Sequence, residues 1–340
     1  MNENSRFIGG KYIIRNIFKK SNEVTNKKVL NILFMRKIIV LLAAFNGEKY
    51  IKEQILSIVN QSLKPHLIII NLDKSNDRTL EIIDKCILEY PIIKVLSSKK
   101  TFGSPASNFF HLLLNTNLTN IDYIALADQD DLWKEDKLDK AIKKLEDGYD
   151  GYSSNVEAFW DDGRNHVLVK NQPQQNFDHL FESAGPGCTF VLTKNLASAL
   201  QNFLKNNHGE IFQMKQYHDW LIYAFARRNR FEWFIDGYAS MKYRQHAFNA
   251  FGAHVGFSGF LVRFKKVLMG EGFDQVLRLI KLLKLEKDPF VRKWYPLSRI
   301  GFIRLAFHAP QCRRRLREKI YFIFLCILLA IFFPKFKYLK

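Results

Sequence analysis

Three carboxylates in four positions, Asp128-Gln129-Asp130-Asp131, follow directly on the apolar run Tyr123-Ile124-Ala125-Leu126-Ala127. Carboxylates this close repel one another, and each loses hydration beside a sheet. A hard divalent cation resolves that conflict, because it takes carboxylate oxygens and bridges them to phosphates. The plainer alternative is an acidic N-cap for a helix expected from about Glu135. Two further acids sit where they could act. Asp73 lies just past a strand-like run, in Leu72-Asp73-Lys74-Ser75-Asn76-Asp77-Arg78-Thr79, where it could accept a hydrogen bond from a base or simply make the turn. Asp77, in the same stretch, reads better as a helix cap. Asp219 is a lone acid in the aromatic setting Tyr217-His218-Asp219-Trp220, at the start of an expected helix.

These acids need a frame. Lys37–Ala44 is a short, β-branched-rich apolar run ended by Asn46-Gly47, the pattern of a buried strand. Ile51, Ile55, Ile58 and Val59 then recur at helical spacing. Strands are expected at 66–71, 92–96 and 123–127, with helices over 77–90 and 105–115 and one presenting Leu138, Ile142 and Leu145 on one face. Such alternation predicts an α/β fold with a mostly parallel, doubly wound sheet that binds its ligand at the carboxyl ends of the strands. After about residue 150 the pattern loosens, with strands near 151–160, 187–193 and 231–244 and a helix over 217–228. Gly187-Cys188-Thr189 marks either a tight approach to a pocket or strand packing.

A chain of 340 residues with 47% hydrophobic content can fill one large domain or two ordinary ones. Its net charge of +19 suggests a nucleic-acid binder, but the distribution argues otherwise. Residues 1–36 carry +6 and residues 251–340 carry +14, which leaves −1 on the body. The C-terminal excess flanks apolar sequence: Arg313-Arg314-Arg315-Leu316-Arg317-Glu318-Lys319 runs into the uncharged stretch 320–333, followed by Pro334 and a basic end. Fourteen helical residues span roughly 21 Å, short of the ~30 Å hydrocarbon core. A shallow anchor on an anionic membrane surface is therefore expected, with a buried C-terminal helix as the alternative. The four cysteines have no metal-site spacing, and residues 1–36 lack the apolar core of a signal peptide. Met35 directly precedes the first strong strand and could be the native start. The expected location is the cytoplasmic face of the cell membrane.

The first strand–helix turn, Ala44-Phe45-Asn46-Gly47-Glu48, contains neither dinucleotide-binding nor P-loop glycine spacing. The ordered set is different: Phe45 to Ile51, Gln54, Asn60-Gln61-Ser62, Asp73-x-Ser75-x-Asp77-x-Thr79, and Ala127 to Trp133. Tyr217-His218-Asp219-Trp220 and Tyr243-Arg244-Gln245-His246-x-x-Asn249-x-x-Gly252 complete it. This set resembles the family 2 inverting glycosyltransferases, most of all their rhamnosyltransferase-like branch, over roughly residues 36–255.

The resemblance implies a GT-A fold, with a nucleotide-binding half over 37–150 and an acceptor half over 151–250. A basic N-terminal extension would precede it and a basic helical region, 251–340, would follow. It further implies that Ala43, Phe45, Asp73, Asp128 and Gln129 contact the nucleotide-sugar, with Phe45 on the pyrimidine and Asp128 toward the ribose. Asp130 and His246 would hold Mg²⁺ or Mn²⁺, Asp131, Arg244 and Gln245 would support them, and Asp219 would be the general base. One departure from the family pattern is visible, in that Leu72 replaces the first of the paired acids expected before Ser75. The implied reaction is metal-dependent transfer of a sugar from dTDP-rhamnose or a UDP-hexose to a glycan acceptor, the polyprenyl-linked form being the one that suits the membrane tail. A non-catalytic scaffold of glycan assembly is the second reading; nucleic-acid binding ranks last.

Overall fold

A computed structural model describes residues 36–96, 101–211, 217–245 and 271–332. Strand β1 (Ile38–Ala44) is buried along its whole length, because both of its faces are covered. Ile39, Leu41 and Ala43 point into one core and Ile38, Val40, Leu42 and Ala44 into the other, as the two-residue period of a strand dictates. Helix α1 (Ile51–Val59) follows, then β2 (Leu67–Leu72), α2 (Thr79–Glu89), β3 (Ile93–Val95) and α3 (Pro105–Asn115). α3 begins where Ser104 caps it, its side chain accepting from Ser107 N, with Pro105 in the first turn. β4 (Tyr123–Asp128), β5 (Leu132–Trp133) and α4 (Lys137–Glu146) complete this part.

Strands β3, β2, β1 and β4 are parallel neighbours, so the residues after β1, β2 and β4 gather at one edge. Ala43 pairs with both Asn71 and Asp128 in register, which brings the three strand ends level. Beyond β4 the sheet departs from the expected mostly parallel arrangement. It continues through β8 (Val191–Thr193), β6 (Gly151–Trp160), β9 (Trp233–Gln245) and β5, with β7 (Asn165–Leu168) hydrogen-bonded to β6. β8 runs antiparallel to β4 and β6, and β5 antiparallel to β9, whereas β6 and β9 are parallel. The sheet is therefore mixed. The physical reason is the loss of strand–helix alternation after α4, since a parallel neighbour needs a long crossover connection, usually a helix. Residues 187–189, expected as strand, form a 3₁₀ turn leading into β8.

α5 (Lys194–Asn206), α6 (His208–Ile211) and α7 (His218–Arg228) pack on the α3 side of the sheet. The same core takes in α8 (Glu271–Leu282), α9 (Arg299–Phe307), α10 (Ala309–Cys312) and α11 (Leu316–Phe332). The described residues from Ile38 onward thus form one compact unit. No helix among them is long and apolar enough to cross a membrane. α11 buries Phe322, Cys326, Leu329 and Ala330, and leaves Ile320, Phe324, Ile327 and Ile331 exposed. The basic run before it divides. Arg314 is buried and turned inward, while Arg317 stays exposed.

Candidate active site

The turn after β1 is tied to the turn after β2 by side chains. Asn46 N donates to Ser75 Oγ, Gly47 N to Thr79 Oγ1, and Glu48 N to Asp77 Oδ2, at 2.9, 2.7 and 3.0 Å. Asp77 also accepts from Thr79 N at the start of α2, one residue before the N-cap position, which Arg78 occupies. Asp73 is nearly fully buried, and its carboxylate accepts from Lys74 N, Phe102 N and Gly103 N at 2.7, 3.0 and 2.8 Å. It fixes the loop that leads into α3. Asn108 of α3 completes this edge, donating to the carbonyls of Ala44 and Asn71 and accepting from Asn71 Nδ2.

Phe45 is left half exposed above these strand ends, at 51%. A free aromatic face held on a rigid turn is a platform for stacking a planar base. Its backbone is gripped from both sides by Gln129, whose Oε1 accepts from Phe45 N and whose Nε2 donates to Phe45 O, both at 2.6 Å. A Cβ at Gly47 would lie 2.5 Å from Gln129 Oε1, so this clamp requires glycine there. Gln129, expected on the nucleotide-sugar, has its amide engaged in holding Phe45. Ala43 is buried at the end of β1 beside Asp128.

The acid cluster lies at the same edge. Asp128, Asp131 and the Cys188 thiol each offer one ligand-type atom within 4.8 Å of the others. Burial, then the charge of Asp130, pushes the Asp128 carboxyl up to about 7, and Asp219 adds to the shift. Burial and the charges of Asp130 and Asp128 hold the Asp131 carboxyl well above the ordinary carboxylate range. Asp131 is 1% exposed; its Oδ1 accepts from Arg244 N at 3.2 Å, and its Oδ2 is buried without a hydrogen-bond partner. Burial and the carboxylates of Asp131 and Asp128 push the Cys188 thiol well above its usual value, so it stays protonated and is no ligand for a hard ion. Crowded carboxylates and an orphaned buried oxygen fit a divalent cation. Asp130 is outside the closest group but near enough for its charge to act on both neighbours.

Arg244 is the brace of this cluster. Its Nε donates to Asp130 O and its Nη2 to Glu53 Oε2, at 3.0 and 2.7 Å, while Asp161 lies 3.6 Å from Nη1. The guanidinium also lies over the rings of Tyr50 and Phe159. Gln245 is buried and donates to Arg244 O, while His246 lies outside the described residues, as do Asn249 and Gly252.

Asp219 stands in the first turn of α7, whose N-cap Tyr217 adopts a left-handed conformation at φ 74°. Its neighbour His218 meets Gly187, next to Cys188 of the acid cluster, and the charge of Asp219 acts on Asp128. Trp220 fixes the helix start by donating from Nε1 to His179 O at 2.9 Å. His218 stacks on Phe109 at 4.4 Å, and burial holds its imidazole below the ordinary value.

The model for glycosyl transferase family 2 matches residues 39–264. The chain belongs to that family. It is a glycosyltransferase of GT-A type. The dTDP-rhamnosyl transferase RfbG of Shigella flexneri is 38% identical over 289 residues, which cover 84% of this chain and 99% of that protein. An uncharacterized glycosyltransferase of Methanocaldococcus jannaschii is 30% identical over 138 residues, covering 40% of this chain and 46% of its own. The crystal structure of S. aureus TarS 1-349 in complex with UDP shares the fold, with a TM-score of 0.53 at 20% identity, covering 87% of this chain and 81% of that one.

One residue of this family 2 site was invisible in the sequence reading. Lys137 is fully buried beneath the acid cluster; its Nζ donates to the carbonyls of Cys188 and Thr189 at 3.3 and 3.2 Å and lies over the Trp133 ring. Burial pulls its ammonium down to about 8, and Cys188 and Asp131 oppose that shift. Its position in the first turn of an amphipathic helix carries no local signal of burial.

Proposed function

We propose that this enzyme is an inverting glycosyltransferase that moves a sugar from a nucleotide-diphosphate donor to a glycan acceptor. What supports the reading most is the approach of the helix that carries Asp219 to the Asp128–Asp131 cluster at the carboxyl ends of the parallel strands, through the contact of His218 with the 187–189 turn. Phe45 would carry the base on its exposed face, and Asp73 would present its buried carboxylate to the base edge. Asp130 and Asp131, with Asp128 beside them, would hold Mg²⁺ or Mn²⁺. Such an ion supplies Lewis-acid stabilisation of the charge that develops on a departing diphosphate. Asp219 would take the proton of the acceptor hydroxyl as that oxygen bonds to the anomeric carbon. The bond from that carbon to the diphosphate oxygen breaks on the opposite face, which inverts the centre.

The first donor is dTDP-rhamnose, because the relative covered over nearly its full length is described as a dTDP-rhamnosyl transferase. UDP-hexoses come second. The acceptor is carried on a lipid at the cytoplasmic face of the cell membrane. In support, Ile300, Ile303 and Phe307 of α9 are exposed in the same C-terminal region as the bare apolar stripe of α11, with the exposed cations Arg304 and Arg317 nearby. Membranes with anionic headgroups favour such an apolar face with a basic margin.

The test is a donor screen with purified protein in detergent, reading released nucleoside diphosphate with and without Mg²⁺ or Mn²⁺. Turnover is expected with dTDP-rhamnose, and Asp219→Asn should lower it by roughly 10²–10⁴-fold. An Asp219→Asn enzyme as fast as the parent, or full turnover in a chelator, would overturn the mechanism.

A further inference from the structure

Three consecutive arginines before α11 each grip a different carbonyl of the catalytic body. Arg313 Nη1 donates to Phe181 O at 2.6 Å, Arg314 Nη2 to Ser183 O at 2.6 Å, and Arg315 Nη2 to Val169 O at 2.8 Å. Arg313 has a carboxylate partner in Glu318, at 3.3 Å. Arg314 has Glu182 at 3.3 Å and Asp178 at 3.5 Å, and Asp178 is shared with Arg227. The buried Nε of Arg314 still lacks an acceptor.

Among the described residues, two cations of this cluster have no carboxylate within ion-pair distance. Arg315 meets carbonyl oxygens only: Val169 O and, with the Gln172 amide turned to suit it, Gln172. Lys170 is partly buried beside them, and its own backbone N–H and that of Asn171 both donate to Asn155 Oδ1. Burial, then the neighbouring Arg314, pulls the Lys170 ammonium below its ordinary value, and Glu182 and Glu318 offset this only in part. Excess positive charge held on a fixed, partly desolvated frame is stabilised by an anion.

The position of this cluster names the anion. Lys170 Cγ lies 3.7 Å from where a Cβ of Gly185 would stand, and Gly187, two residues on, faces His218 beside the proposed base. On the other side Arg315 is followed directly by α11, whose apolar stripe is bare. The cluster therefore stands between an apolar surface and the acceptor side of the catalytic mouth, a position that fits a ligand joining an apolar chain to a phosphate.

We propose that Lys170 and Arg315, backed by Arg313 and Arg314, form a second anion site that binds the diphosphate of a lipid-borne acceptor, separate from the site for the donor diphosphate. This assignment deepens the glycosyltransferase reading and rests on it for the word acceptor, but binding itself needs no turnover.

The full chain in detergent is titrated with farnesyl diphosphate, a soluble prenyl diphosphate, while dTDP and Mg²⁺ occupy the donor side. Farnesol, inorganic diphosphate and phosphatidylglycerol vesicles are titrated in parallel. Farnesyl diphosphate is expected to bind the parent more tightly than either farnesol or inorganic diphosphate. Lys170→Gln and Arg315→Gln should each weaken it roughly ten-fold, the loss of one charge-assisted hydrogen bond. Arg314 is not used, since its burial makes misfolding an alternative cause. Unchanged binding in both variants overturns the site, as does loss of binding in Asp130→Asn, which would move the ligand to the donor side. Equal affinity for inorganic diphosphate overturns the lipid-borne ligand. Variants that lose vesicle binding yet keep farnesyl diphosphate would assign the cluster to a membrane headgroup and overturn the acceptor assignment. A failed donor screen leaves these titrations unaffected, so the two readings fail separately.

Discussion

Gly187 and His218 meet so closely that a Cβ on residue 187 would lie 2.2 Å from His218 Nε2. The loop that closes the acceptor side and the helix that carries Asp219 are thus fitted to each other at a glycine. The imidazole has little freedom to yield, because it is stacked on Phe109 of α3. Gly187→Ala is expected to push His218 and the first turn of α7 away from the Asp128 cluster. Overpacking of this kind costs typically about 1–3 kcal/mol. Turnover should fall more than donor binding does, because the displaced group is the proposed base and not a donor contact. Urea unfolding and a kcat against KM comparison check both parts; a variant with unchanged kcat would uncouple the glycine from the base.

Lys137 is expected to hold the floor of the acid cluster. Its ammonium is buried and close enough to Asp131 for the carboxylate's charge to act on it, and it satisfies two carbonyls of the 187–189 turn. Lys137→Met keeps much of the volume, but leaves the carbonyls and the buried carboxylate without that charge. Leaving a buried acceptor without its donor costs about 1–3 kcal/mol. The urea midpoint should fall accordingly. Replacing Asp131 by Asn in the same chain should recover part of the loss, since no buried charge is then left uncompensated.

Lys137 and the tri-arginine run show where local sequence stops being informative. Helix α3 was legible to the residue because Ser104-Pro105 is a start signal written in the chain, and α4 because Leu138, Ile142 and Leu145 repeat on one face. The acid cluster was legible because strand ends and carboxylates are adjacent in sequence. Whether a lysine in a first helical turn is buried depends on carbonyls contributed fifty residues later, and no local pattern records that. Arg313, Arg314 and Arg315 read as a solvated basic flank for the same reason. Their partners are Phe181, Ser183 and Val169, brought near only by the fold.

Asp128 gives stability a pH dependence of definite sign. Its folded-state pKa of about 7 lies above the ordinary carboxylate value. Its stabilising contribution is therefore fully present below the unfolded value and is lost as the pH rises through about 7. In a chelator, the unfolding midpoint should fall on going from about pH 5 to pH 8, each pKa unit being worth about 1.4 kcal/mol. Asp128→Asn should flatten that profile, and Mg²⁺ should restore the parent at high pH by binding the ionised carboxylates. A profile with the same slope in Asp128→Asn would assign the effect to other groups.

The C-terminal helices carry the last prediction. Deleting everything from residue 313 is a poor test of membrane binding, because it removes Arg314, which takes the cation from Glu182 and leaves the buried Asp178 with Arg227 alone. Point changes on the exposed stripe separate docking from folding. Phe324 and Ile331 are 62% and 60% exposed and contribute little to the core, so Phe324→Glu with Ile331→Glu should leave the unfolding midpoint nearly unchanged. The same pair should release the protein from phosphatidylglycerol vesicles, by removing apolar area worth roughly 25 cal/mol per Å² and adding charge of the wrong sign. Arg304→Glu should act in the same direction but only at low salt, since an exposed charge is screened within about 10 Å at 0.1 M. Co-sedimentation at two salt concentrations distinguishes these effects, and retention of the double variant on vesicles at both would place the docking surface elsewhere.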